Sequence, residues 1–213
     1  MNKKLLFILL SIILYWVLIR FVPYGSLMLY PITLLVTIFH ETGHALFALI
    51  TGGSVHGIQI NNDGSGYAMV AGGWAILVIP GGYIGSALWG NLILFVALYK
   101  EKYIKWVLYL IMAVLTFSAI VWFNSIGSTV LLLVFAALFF WLSKASKTIQ
   151  VYTLLAIGAT TLFYIFLDFN GGPSSDLAQF TKLLPFLPQF VWAVAWLVAV
   201  SYITYLTIRR SWK

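Results

Sequence analysis

The stretch TIFHETGHALFALITGG, residues 37–53, sets two histidines and a glutamate inside an otherwise apolar run. On a helix, positions i and i+4 lie on one face, so His40 and His44 can turn two ring nitrogens toward one ion. Glu41 follows the first histidine and can reach a water held by that ion without binding the ion itself. This is the HExxH arrangement, in which zinc brings the pKa of water near 7 and the glutamate takes the proton. The same pattern arises by chance in soluble chains. A charged residue at mid-membrane, however, costs about 2.5–3.5 kcal/mol on insertion scales, so an idle Glu41 is disfavoured if the run lies in lipid. Gly43 and Ala45 are small and leave room for a second helix or a peptide.

The run does belong to a lipid-embedded chain. Of 213 residues, 62% are hydrophobic and 8% charged, with a mean hydropathy of +1.02, too few charges to cover a water-soluble domain. Apolar stretches long enough to cross the hydrocarbon core occur at 5–22, 26–50, 74–99, 104–123, 127–142, 149–168 and 190–208, about seven crossings. The first follows MNKK and is not followed by a small-residue cleavage site, which predicts an uncleaved anchor. The expected fold class is an all-α polytopic membrane protein with a small β-hairpin insert after the HExxH helix. We expect one membrane-embedded domain, 1–213. It comprises an anchor helix (1–25), the HExxH helix with hairpin and Gly-rich helix (26–99), and the remaining helices with a polar break at 167–190 (100–213).

The hairpin is predicted from residues 51–73. Thr51-Gly52-Gly53 stops the helix, Val55, Ile58 and Ile60 precede a turn-rich NNDGSG, and YAMV follows it. An exposed hairpin edge could align an unwound segment by strand addition, and a mere cap over the site is the plainer reading. In PGGYIGSALWG (80–90), Gly81, Gly82, Gly85, Ser86 and Gly90 have the spacing of close helix packing, which would bring this span against the HExxH helix. Pro80 is expected to kink it.

The third ligand must come from a short inventory. With no cysteine, three histidines and five acids, any metal takes nitrogen and carboxylate donors. His56 lies beyond the helix stop and reads as a surface histidine of the hairpin. Glu101 sits in a lysine-rich loop, and Asp63 in an ordinary Asn-Asp-Gly turn. Asp168 and Asp176 remain, either able to reach the C-terminal half of the zinc helix if the break returns to that side. Asp176 also suits a helix N-cap after Pro-Ser-Ser, and Asp168 a helix-end turn.

HETGHALFALITGG (40–53), the hairpin ending in DGSGYAMVAGG, and PGGYIGSALWG together resemble the site-2 protease family of intramembrane zinc metallopeptidases, in its small site-2-protease-like branch. The resemblance runs from about residue 33 to 208. It implies that His40 and His44 bind Zn2+ and that Glu41 is the catalytic base. Better-known members carry an asparagine-bearing segment leading into a carboxylate ligand. Here WFNSIGSTVLL (122–132) offers Asn124, a candidate substrate-binding residue, and no acid. SSDLAQFTKLLP resembles the Ser-Asp segment before a short helix in this branch and favours Asp176 as third metal ligand, with Asp168 the alternative.

The expected function is a zinc-dependent intramembrane endopeptidase acting on membrane-embedded or membrane-proximal protein segments. The alternative is a non-proteolytic membrane protein that binds partner helices through an inherited metallopeptidase fold, although such a protein needs no Glu41. A cation transporter would want more intramembrane carboxylates. The expected partners are a membrane-protein substrate and the lipid bilayer, with no nucleic acid, because the Lys and Arg behind the net charge of +7 sit in short loops and at the ends. The sequence leaves the oligomeric state open. A multi-pass protein of a bacterial cytoplasmic membrane is expected.

Seven crossings would leave Lys3, Lys4 and Lys182 on one side and the other nine basic residues opposite, placing the N-terminus outside. The resemblance implies a cytosolic N-terminus and a site opening toward the cytosol. If 74–99 only re-enters, ten basic residues fall with the N-terminus and two opposite. The sequence leaves the orientation open, with seven crossings the expected count.

Overall fold

A computed structural model describes residues 3–167 and 171–209. Helix α1 (Lys3–Phe21) leads into α2 (Gly25–Ile50), which carries the HExxH residues. A two-stranded antiparallel hairpin follows, β1 (Ser54–Ile60) and β2 (Gly66–Ala71), then a single turn, α3 (Ala75–Val78), and α4 (Gly81–Tyr99). A short 3-10 turn (Glu101–Tyr103) joins α4 to α5 (Ile104–Val121), followed by α6 (Ile126–Lys144), α7 (Lys147–Leu167), α8 (Asp176–Leu183) and α9 (Gln189–Ile208). Seven of these helices are long and apolar enough to cross a membrane. Leu9, Leu10 and Leu14 of α1 and Val194, Val198 and Tyr202 of α9 are exposed. Water would penalise apolar surfaces of this extent and lipid does not. The chain is a multi-pass integral membrane protein.

Local chemistry sets the boundaries near the site. Gly52 has φ +83 and closes α2, and the Gly53 N–H returns to the Ala48 carbonyl at 2.8 Å. The expected single span 74–99 is divided. Pro80 has no N–H to continue a helical ladder, so α3 ends and α4 restarts at Gly81, and only Gly81–Tyr99 is long enough to cross. Glycines then let α2 and α4 touch backbone to backbone. A Cβ on Gly43 would fall 2.4 Å from the Gly81 carbonyl oxygen, and one on Gly85 would fall 2.5 Å from the Gly43 Cα. The small residue at position 43 therefore accommodates a helix rather than a peptide.

Helix directions correct the expected bookkeeping of sides. Phe7 meets Tyr152 and Tyr15 meets Phe163, so α1 and α7 run the same way. Gly90 meets Leu162 and Gly158 meets Leu94, so α4 runs opposite to both. The Lys4 ammonium accordingly reaches the Ala97 carbonyl at 2.8 Å and the Glu101 carboxylate at 2.7 Å. Lys147 donates to the Glu101 carbonyl, and the Tyr99 hydroxyl donates to the Thr207 carbonyl at 2.9 Å, bringing the start of α7 and the end of α9 to the same end. Three successive crossings by α1, α2 and α4 would have placed Lys4 and Glu101 on opposite sides. Instead α2 and residues 51–80 together make an excursion with no net crossing.

The hairpin lies at the other end. Ile58 N–H donates to the Trp122 carbonyl at 3.1 Å, and Ile60 N–H donates to Ser128 Oγ at 2.9 Å, both at the α5–α6 junction. Its turn is held on α2 by Tyr30 and Thr37, whose hydroxyls donate to the Asn62 and Gly64 carbonyls, each at 2.6 Å. Asp63 accepts from Ser65 Oγ and the Ser65 N–H, and these bonds hold its carboxyl below its ordinary range.

Candidate metal centre

His40 and His44 stand one turn apart on α2, and α8 brings a carboxylate to them from the far end of the sequence. Asp176 Oδ2 lies 2.9 Å from His40 Nε2 and 3.2 Å from His44 Nε2, and the two nitrogens are 3.1 Å apart. Three ligand atoms thus form a nearly equilateral triangle. Ligands about 2.0–2.1 Å from a tetrahedral ion would be separated by roughly 3.3 Å, so the triangle has the size that such an ion requires. Among the described residues, His40, His44 and Asp176 form the group able to hold a metal ion.

Tautomer chemistry argues the same way. His44 Nδ1 lies 2.7 Å from the Val78 carbonyl oxygen, an acceptor only, so Nδ1 carries a proton. In neutral His44, Nε2 then presents a lone pair toward Asp176 and His40. A lone pair and a carboxylate oxygen converging at this distance call for a positive charge between them, a metal ion or, without one, a proton on the imidazoles. Burial alone would raise the Asp176 carboxyl, but its hydrogen bonds with His40 and His44 outweigh that and hold it well below the usual carboxylate range.

The N-cap role open to Asp176 belongs to its neighbour. Ser175 caps α8, its Oγ accepting from the Ala178 N–H at 3.2 Å, and Asp176 is the first helical residue. The alternative ligand Asp168 lies outside the described residues. His56 is exposed on β1, with Nε2 3.1 Å from Ser54 Oγ, and takes no part in the cluster.

Glu41 is buried at 5% exposure beside the triangle. The backbone N–H of Ala68 in β2 lies close to its carboxylate. Gly66 makes this approach possible, because a Cβ there would lie 3.0 Å from Glu41 Cγ and 2.8 Å from Thr37 Cγ2. The hairpin therefore packs onto the glutamate. A cavity of about 560 Å3 opens beside these residues, lined by the hairpin turn, by Tyr164 and Ile165 of α7, and by Ser174, Ser175 and Gln179 around α8. Asn124 is not among its lining residues; its amide donates to Gln59 Oε1 at 2.8 Å and braces β1.

Two contributors carried no metal-site signal in the sequence. Tyr83 stacks edge-on against the His40 ring, centroids 4.8 Å apart. Gly82 provides the space for that ring, since a Cβ on it would fall 2.3 Å from His40 Nε2. Gly82→Ala is therefore expected to leave the fold intact, because only the tip of one side chain must yield. It should weaken metal binding about 10–100-fold, the scale on which supporting groups act. Chelator competition alongside thermal unfolding would check this, and unchanged affinity would show that the His40 ring is free to turn.

The fold and the convergent donors define a multi-pass membrane protein with a place for one metal ion in the bend between α2 and α8. A family profile described as Peptidase M50B-like matches residues 6–207, and the chain belongs to this family, part of the site-2 protease group of membrane metallopeptidases. No curated protein and no solved structure matches the chain.

Proposed function

We propose that the chain is a zinc-dependent intramembrane endopeptidase, with His40, His44 and Asp176 as the metal ligands and Glu41 as the general base. The observation that carries this reading is the convergence of two Nε2 atoms and one carboxylate oxygen, with the His44 tautomer fixed by Val78, next to a buried glutamate that binds no metal. When bound, zinc supplies a Lewis acid that lowers the pKa of water and polarises a carbonyl. Glu41 takes a proton from the attacking water and returns it to the amine nitrogen as the peptide C–N bond breaks, so that one water is consumed per bond. The hairpin's position over Glu41 suits it to hold an extended segment across the site through backbone hydrogen bonds. Asn124 acts on a bound segment through this hairpin, by way of Gln59.

The substrate class is a membrane-embedded or membrane-proximal protein segment, reached through the polar cavity that also admits water. The test joins metal analysis of the purified protein to cleavage of co-expressed single-span membrane proteins. One zinc per chain and metal-dependent cleavage are expected, and His44→Ala should lose both. Cleavage that persists in His44→Ala would defeat the reading.

A further inference from the structure

We infer that the cavity opens on the non-cytoplasmic side of the membrane, so that water and the substrate polypeptide enter from that side. The substrate half of this statement rests on the metallopeptidase reading; the orientation does not. Helix α7 begins at Lys147, which donates to the Glu101 carbonyl at one end of the molecule. Tyr164 and Ile165 line the cavity, 17 and 18 residues further along, which at 1.5 Å per residue places them about 25 Å from that end. The cavity floor is formed by α2 and the α3–α4 region, and the exposed polar residues of its wall, Asp63, Ser65, Ser174 and Gln179, lie on the hairpin turn and around α8 and mark its mouth. The mouth therefore lies at the end remote from Lys4 and Glu101.

Charge tells the two ends apart. Lys3, Lys4, Lys100, Lys102, Lys105, Lys144, Lys147 and Arg209 stand at or beside the helix ends gathered around Glu101. Of the described basic residues, only Arg20, at the end of α1, and Lys182, on α8, belong to the cavity end. The connections at the basic end are short, at residues 100–103 and 145–146. This is the loop length over which Lys and Arg decide orientation by staying in the cytoplasm. Eight against two is a strong bias. It places the N-terminus inside, as the family resemblance implied, but the site opening outside, which the resemblance did not.

Single cysteines in this cysteine-free chain would decide the matter, read with a membrane-impermeant maleimide on intact cells and on inverted vesicles. Asn62→Cys at the hairpin tip and Lys182→Cys on α8 should react in intact cells. Tyr103→Cys and Ser146→Cys should react only in inverted vesicles. Two positions at each end preserve the reading if one variant fails to insert. The reverse pattern, or equal labelling from both faces, would overturn the inference. Labelling needs no catalysis, so a mistaken orientation is distinguishable from a chain that does not cleave peptides.

Discussion

Glu41→Gln should retain its zinc and lose peptide cleavage by roughly 10²–10⁴-fold, the usual contribution of a positioned general base. Glutamine has the shape of glutamate, and the hairpin should remain seated on α2 because Tyr30 and Thr37 hold its turn. Removing a buried charge carries no desolvation penalty, and the fold should not weaken. The amide cannot take a proton from water at neutral pH. Single-turnover cleavage measured beside metal stoichiometry separates the outcomes. A metal-loaded variant that still cleaves at the native rate would remove Glu41 from the chemistry, and a metal-free one would mean that it helps build the site.

Asp176→Ala should cost more than about 100-fold in metal affinity, since in the proposed site it deletes a ligand rather than a group supporting one. Its two histidine partners would be left facing each other at 3.1 Å without the carboxylate that completes the triangle. The part of its stability contribution that comes from the helix end should be slight by comparison. Ser175 caps α8, and the carboxylate's interaction with the helix N-terminus is worth about 0.3–1 kcal/mol. Titration with zinc in a chelator buffer, together with the unfolding midpoint of the metal-free protein, would distinguish ligand from structural anion. Native zinc affinity in Asp176→Ala would refute its assignment.

The HExxH helix, the hairpin and the glycine stripe were legible because each is written in contiguous residues whose spacing has a direct physical meaning. Asp176 was reachable only by inventory and resemblance, since 136 residues separate it from His40 and no periodicity links α8 to α2. The sides of the membrane stayed open in the sequence for a definite reason. Counting crossings assumes that every long apolar stretch reverses the chain, whereas α2 and the hairpin go in and come back. The break at Pro80 was visible as a proline, but whether it kinks or divides a helix depends on the packing of α3 near His44. Asn124 showed only its residue type, and its partner Gln59 lies 65 positions away. Gly82 was read as a packing glycine; its neighbour proved to be an imidazole.

The acceptor that orients His44 is a main-chain oxygen, and this has a consequence for genetics. Every amino acid supplies a carbonyl, so substitutions at Val78 that keep its bulk would leave the His44 contact in place, and a mutational scan would score the position as permissive. The sensitivity is displaced onto residues that aim the carbonyl. These are Trp74, whose N–H is held by Thr51 Oγ1 at 3.0 Å, and Pro80, which ends the turn. A scan of this chain would thus draw a halo of intolerance around an apparently neutral centre, and position 78 itself would go unnoticed.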